Sequence, residues 1–309
     1  MIQQSDTSGG AGKLPKPIIH EFSPVARALL ACDSRSNFVN GDNRAKVAEL
    51  VGEEIARLEP EILSLDVFDT LLLRNDKSEA RRFWEIAQLS RERVSATLGQ
   101  SAKSLPDEPD FLTARTDATA LCYRTRQPVE GCREGYIRDI LRVAASSLGL
   151  PPGADAAMLQ AELDYEAANL TLNLALVDVA QEFRARGVRT ILLSDMYLGK
   201  DEIAAIIHSL DPPSSGLVDD VFSSADHVLS KRSGGIFKLI EQKLAAAPEH
   251  FLHIGDAFES DVYQARKAEW GALHFPVSTA EHARRSFDLA SFILQMKSLG
   301  LDVSPWAKV

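Results

Sequence analysis

The 309-residue sequence has only three cysteines, Cys32, Cys122 and Cys132, and none falls at a CxxC or Cys/His ligand spacing. That argues against a disulfide framework and against a zinc finger or ribbon, both of which need paired ligands at short intervals. A reducing, cytoplasmic setting is the expectation. Basic charge is also in deficit, with 34 Lys and Arg against 44 Asp and Glu and a net charge of -10. No overall positive field draws such a chain to nucleic acid or to an anionic membrane, so neither is an expected partner. Nowhere do about 18 consecutive apolar residues occur, the length that would suggest a membrane span. The start, MIQQSDTSGGAGKLPKP, lacks the apolar core of a signal peptide.

What is present is a globular composition, 45% hydrophobic and 25% charged. Residues 1–42 read as an N-terminal tail, partly mobile, because the first stretch is rich in Ser, Gly, Lys and Pro without hydrophobic periodicity. Within it, Gly9-Gly10-Ala11-Gly12-Lys13 has the look of a phosphate loop. Thr7 stands where the first glycine belongs, however, and Leu14 where a Ser or Thr would hold magnesium, so the motif fails. From Arg44 to Leu58, Val47, Leu50, Val51, Ile55 and Leu58 follow helical spacing up to Pro60.

Four apolar runs then read as strands buried between helical layers: Ile62–Leu65, Thr190–Leu193, Phe251–Ile254 and Ala272–Phe275, with Val218–Phe222 a weaker fifth. Helical patterns such as Ile203, Ile206, Ile207 and Leu210 separate the later ones. Strand alternating with helix predicts an α/β fold with a doubly wound parallel sheet, the core comprising residues 43–76 and 172–280. Residues 77–171 carry only helical patterns and are expected to form an inserted all-helical cap above the carboxyl edge of the sheet. Residues 281–309 read as a helical C-terminal extension.

In a parallel sheet the strand ends share one edge, so the polar residues that close these runs should converge. Asp66, Asp69 and Thr70 follow the first run, Ser194 and Asp195 the second, and Asp256 and Asp261 the third. Carboxylates gathered so closely repel unless a cation neutralises them, and oxygen ligands of this kind suit Mg²⁺.

The pattern resembles the haloacid dehalogenase superfamily, whose four motifs occur here in order. Asp66-Val67-Phe68-Asp69-Thr70 matches the first and last positions of the family's Asp-x-Asp-x-Thr; Ser194 matches the strand-end Ser/Thr; Lys231 matches the lysine ahead of a helix; Gly255-Asp256 with Asp261 matches the acidic fourth motif. The resemblance implies a Rossmann-like core with a helical cap. It makes Asp66 a nucleophile that forms an aspartyl-phosphate. Thr70, Ser194 and Asp195 would contact substrate, Lys231 would neutralise charge, with Arg232 or Lys200 as substitutes, and Mg²⁺ would be held by Asp66, the Phe68 carbonyl, Asp256 and Asp261. The implied substrate is a small phosphorylated metabolite. The segments DVFDTLL and SDMYL look most like a bacterial group found beside glycosyltransferases, which suggests a phosphorylated sugar or nucleotide sugar by association.

One position departs from the phosphatase pattern. The general acid/base Asp belongs two residues after the nucleophile, where this chain has Phe68, and phenylalanine moves no protons. Asp69 can take that role only if the chain turns sharply after Phe68, since successive side chains of an extended segment leave opposite faces. Three readings stay open: a phosphatase with another acid, a haloacid dehalogenase, which also carries an aromatic residue here, and a catalytically silent phosphate-binding or scaffold module. Asp69 and Asp195 suit capping of turn amides as well as a ligand. His253 and His274 read as core or edge histidines, Phe83 and Trp84 as cap core, and Tyr123, Arg124 and Arg126 as a substrate grip or a solvated face.

Overall fold

The computed structural model describes residues 23–99 and 104–303. The expected mobile N-terminal stretch and the phosphate-loop-like glycines lie outside the described residues. Seven strands occur among them: β1 (Ile62–Asp66), β2 (Leu72–Arg74), β3 (Leu170–Leu172), β4 (Arg189–Ser194), β5 (Asp220–Ser223), β6 (Phe251–Gly255) and β7 (Gly271–His274). Five of them form a parallel sheet in the order β5-β4-β1-β6-β7. The chain runs outward from β1 through β4 to β5 and then returns to place β6 and β7 on its other side. β1 therefore lies at the switch point, where ligands of doubly wound sheets bind.

Alternation along the strands builds two cores. Leu63 and Leu65 of β1, Leu192 of β4, and Leu252 and Ile254 of β6 face the helices Arg44–Leu58 and Leu174–Ala185, through Val47, Val51, Ile55, Val179 and Phe183. Ile62, Ile191, Leu193 and Phe251 face the other way, onto Ile236, Phe237 and Ile240 of the helix Gly235–Leu244. Burial of each such side chain contributes about 1.5–3 kcal/mol, which makes both layers necessary to the sheet. Helix Arg44–Leu58 ends as its pattern predicts, with Glu59 in a left-handed conformation just before Pro60.

The insertion between β2 and β3 contains the helices Glu79–Leu98, Glu108–Thr125, Ile137–Ser147 and Ala154–Asn169. Ser78 caps the first and Asp107 the second, each through a side-chain oxygen that accepts an amide hydrogen. The cap is not wholly helical. β2 and β3 pair antiparallel at its stem, and an isolated bridge joins Val129 to Cys132. Three-residue strands are too short to show alternation, which is why periodicity misses them. Phe83 and Trp84 pack against the apolar core as expected.

The segment before the core also differs from expectation. Pro24–Ala31 and Arg35–Asn40 are helices, and Val25, Leu29, Arg35 and Val39 are fully buried. They are too short for periodicity to stand out, yet Ser23 and Ser34 cap them. The C-terminal helix Thr279–Ser298 lies against the cap stem through Phe292, Met296 and Ala80.

Asn173 fastens the return from the cap to the turn after β1. Its side-chain amide donates to the Thr70 carbonyl (2.9 Å), its backbone amide donates to the Leu71 carbonyl (2.8 Å), and its Oδ1 caps helix Leu174–Ala185. Asn173→Ala should lose the cap and leave the buried Thr70 carbonyl without this donor, lowering stability by about 2 kcal/mol in urea unfolding. A loss below about 0.5 kcal/mol would show that the turn holds without it.

Candidate active site

β1 ends in Asp66, level with Leu193 of β4 and one residue beyond the Leu65–Ile254 pair with β6. The chain then reverses. The amides of Leu71 and Leu72 donate to the carbonyls of Asp66 (3.3 Å) and Val67 (2.7 Å), and Asp69 takes a left-handed φ of 61° that closes the turn. Asp is one of the few residues other than glycine that tolerates this conformation. The Phe68 carbonyl accepts from no backbone amide among the described residues.

Across the switch point, β6 ends in Gly255 and Asp256, and a π-helical turn, Phe258–Tyr263, carries Asp261 back over the strand end. Turns of this kind are rare and recur at functional sites. Gly255 is required for steric reasons, since a Cβ there would lie 2.3 Å from Cγ of Asp261. The Asp261 carboxylate also accepts from the Ala257 amide (2.8 Å), which fixes its direction.

Lys231 arrives from the loop after β5, its ammonium 2.5 Å from Oδ1 of Asp66 and 2.6 Å from Oδ1 of Asp261. Its side chain is 3% exposed, so no water replaces these partners freely. Arg232 and Lys200, the alternative cations, are exposed residues. Asp195 holds the lysine loop in place: its two carboxylate oxygens accept the amides of Lys231 (2.7 Å) and Arg232 (3.1 Å). Asp195, expected at the substrate or in capping of turn amides, thus positions the lysine loop. Ser194 is buried at the end of β4, one residue past the level of Asp66. Thr70 is buried beside Asp66, its hydroxyl without a hydrogen bond of good geometry.

The carboxylates of Asp66, Asp256 and Asp261 each offer an oxygen within 4.8 Å of the other two. One ammonium cannot balance three anions, and burial and mutual repulsion set the proton affinities of the group. Burial, then the charge of Asp261, pushes Asp66 up to about 7 against the pull of Lys231. Burial and the neighbouring Asp66 and Asp69 push Asp256 well above the carboxylate range. Asp261 moves the other way: burial opposes its charge, but Lys231 and His253 outweigh it. A set of oxygen donors with unbalanced charge fits a hard divalent cation, and the carboxylate of Asp256, which makes no hydrogen bond among the described residues, would be free to serve it.

Asp69 does not join this cluster. The turn after Phe68 is sharp, as an acid/base role would need, but it delivers the carboxylate to arginines. Arg35 donates to Oδ1 (2.8 Å) and to the Asp69 carbonyl (2.5 Å), Arg285 donates to both oxygens (2.7 and 3.1 Å), and Arg74 lies 3.5 Å away. Although burial disfavours its charge, Arg74, Arg285 and Arg35 together hold Asp69 below the usual carboxylate range. A carboxylate held ionised so firmly has no proton to give, so the expectation of Asp69 as catalytic acid is corrected. Phe68 is buried beneath the guanidinium of Arg74, 4.4 Å from its ring centre.

Sequence reasoning missed this clamp because Arg35, Arg74 and Arg285 belong to three distant segments without a shared motif. It also missed the chain Ser64–His253–Asp261. His253 Nδ1 lies 2.8 Å from Ser64 Oγ and Nε2 lies 3.3 Å from Asp261 Oδ1, so this core histidine braces a site carboxylate. An isolated His and Ser within two apolar strands were the available signal.

A parallel sheet at whose switch point an Asp–Lys–Asp constellation meets two more strand-end residues defines a capped α/β hydrolase. The sequence model of the haloacid dehalogenase-like hydrolases matches residues 61–269, and the chain belongs to that family. No curated protein matches it. Among solved structures it is similar to a HAD family enzyme from Bacteroides thetaiotaomicron, with 13% identity over 69% of this chain and 92% of the other and a TM-score of 0.46. A predicted phosphoglycolate phosphatase from Haemophilus somnus shows 11% identity over 71% and 88%, TM-score 0.40. The L-2-haloacid dehalogenase RSc1362 shows 15% identity over 74% and 97%, TM-score 0.41. No helix among the described residues is long and apolar enough to cross a membrane.

Because its value in the folded chain lies below the unfolded one, Asp69 contributes stability that is present above about pH 4 and lost as pH falls through the depressed value. Asp69→Asn should therefore cost about 3 kcal/mol at pH 7, with the gap to the parent chain narrowing below pH 4. Urea unfolding at pH 7 and pH 3 measures both. A gap that widens in acid would contradict the ionised clamp.

Proposed function

We propose that the protein is a Mg²⁺-dependent phosphatase that acts on a small phosphorylated metabolite through an aspartyl-phosphate on Asp66. The observation that carries this reading is the trio of carboxylates at the switch point, served by a single buried lysine. A dehalogenase working without metal would bear the repulsion of Asp256 and Asp261 beside its nucleophile for no return. Mg²⁺ held by Asp66, Asp256, Asp261 and the Phe68 carbonyl would act as a Lewis acid and screen the two anions that must meet.

The remaining work falls to side chains. A carboxylate oxygen of Asp66 attacks phosphorus, and the bond to the leaving-group oxygen breaks as the new O–P bond forms. Lys231 offsets charge on Asp66 and on the phosphoryl oxygens. Thr70 and Ser194 donate hydroxyl hydrogens to those oxygens. Water then attacks the aspartyl-phosphate and releases inorganic phosphate and the free carboxylate. The leaving oxygen needs a proton in the first step and the attacking water loses one in the second. Neither Phe68 nor Asp69 is equipped for either transfer, so esters with good leaving groups are the better substrates. A phosphorylated sugar or nucleotide sugar is the substrate class suggested by the DVFDTLL resemblance.

Two variants test the reading on a panel of phosphate esters with Mg²⁺. Asp66→Asn should lower kcat by about 10³-fold or more, and undiminished turnover would remove Asp66 as nucleophile. Phe68→Asp should raise kcat on alkyl phosphates by about tenfold to a hundredfold, and by less on p-nitrophenyl phosphate, whose leaving group departs without a proton and which gains only in the hydrolysis step. Chelation of the metal should abolish both activities; halide release from 2-haloacids in the presence of chelator would instead identify a dehalogenase.

A further inference from the structure

Beside Asp69, a cleft of about 350 Å³ opens between the cap stem and the C-terminal helix Thr279–Ser298. Arg74, Arg82, Arg285, Lys77, His282 and Ser286 line it together with the carboxylates of Asp69 and Glu79, and none of Asp66, Ser194, Lys231 or Asp256 does. We propose that this cleft is an anion-binding site, separate from the catalytic crevice, that takes the phosphate group of a small free metabolite.

The case rests on charge and on unmet hydrogen bonds. Four guanidinium groups, those of Arg35, Arg74, Arg82 and Arg285, none more than 19% exposed, meet three buried carboxylates, Asp69, Glu166 and Glu281. Glu281 is taken by Arg35, at 2.6 Å, and Asp69 is shared among three arginines. Glu79 also attracts Arg74 and Arg82, but it is exposed and solvent screens that attraction, and Lys77 is paired with Glu85. The buried part of the cleft wall thus carries a surplus positive charge.

Two of the arginines are also under-used. A guanidinium offers five N–H donors. Arg74 leaves its buried Nε without a partner and gives Nη2 only to the Met196 sulfur. The Arg82 guanidinium makes no hydrogen bond among the described residues and approaches Glu166 only to 3.6 Å. Burial, then repulsion by Arg74, lowers the affinity of Arg82 for its proton, whereas Glu166 and Asp69 outweigh burial and hold the proton on Arg74, so of the two it is Arg82 that lacks counter-charge. A tetrahedral oxyanion supplies charge and several acceptors at once, and planar guanidinium groups are the donors suited to it. Since Arg74 and Arg285 also hold Asp69, an anion in the cleft would load the turn that carries Asp66.

Calorimetric titration of the full chain with inorganic phosphate in the presence of chelator, with a crevice variant as control, separates the cleft from the crevice. One phosphate per chain is expected to bind in the low millimolar range. Ser286→Glu, which puts a carboxylate into the cleft from an exposed helix position, should weaken binding at least tenfold with an unchanged melting temperature, and Arg82→Gln should weaken binding as much while lowering the melting temperature, because it leaves the buried Glu166 without this partner. Thr70→Val, in the crevice, should leave it unaltered. Absence of binding in chelator, binding unaffected by Ser286→Glu, or binding lost in Thr70→Val would overturn the proposal, and none of these outcomes depends on whether the chain hydrolyses phosphate esters.

Discussion

The architecture of the site follows from the need to hold three carboxylates at one edge of a sheet. At about 4 Å and an effective dielectric constant near 20, each pair of like charges repels by roughly 4 kcal/mol. Lys231 answers part of this by sitting between Asp66 and Asp261, but its own burial would be costly without them, since they outweigh the desolvation that favours the neutral amine. Each of the three groups is therefore in place because of the others. Around them the chain supplies rigid support: Asp195 grips the lysine loop by two amides, His253 braces Asp261, and Gly255 yields the space in which Asp261 turns back.

Three residues along the chain from Asp66, the same chemical group meets the opposite environment. Asp66 is raised by burial among other carboxylates, whereas Asp69 is lowered by arginines from three segments. The difference arises in one backbone conformation. A left-handed φ at Asp69 turns the chain so that its side chain leaves the crevice and reaches Arg35 and Arg285, which lie in helices before and after the catalytic core. The N-terminal and C-terminal helices are thereby pinned to the turn that bears the candidate nucleophile. Paired environments that drive two neighbouring carboxylates apart are how one fold separates a reactive carboxylate from a structural one.

The sheet, its order of elements and the candidate cluster were legible because each depends on local pattern. Apolar runs such as Leu63-Ser64-Leu65 and Leu252-His253-Ile254 mark buried parallel strands, and a parallel sheet brings their ends together whatever else the chain does. The Gly255–Asp261 spacing was readable for the same reason, although the π-helical turn that makes it work was not. The helices at Pro24–Ala31 and Arg35–Asn40 escaped because eight and six residues give too few turns for periodicity. The arginine clamp escaped for a deeper reason: Arg35 and Asp69 are 34 positions apart, Asp69 and Arg285 216, and no spacing rule predicts ion pairs set by tertiary packing.

That clamp bears on the substitution at Phe68. A shift of the acid/base carboxylate by one position, from residue 68 to residue 69, looks small in the sequence. To reach the crevice, however, Asp69 would have to leave Arg285 and Arg35, and Arg35 is fully buried with Glu281 as its remaining partner. Breaking a buried ion pair costs about 3–5 kcal/mol, and relaxing the left-handed turn would also undo the Leu71 and Leu72 hydrogen bonds that close it. The cost of using Asp69 as an acid therefore rivals the 10²–10⁴-fold gain that general acid catalysis supplies, which is about 3–5 kcal/mol. The two carboxylates of the motif are not interchangeable. In the proposed phosphatase reaction the proton would come from elsewhere in the crevice, from solvent or from the substrate itself.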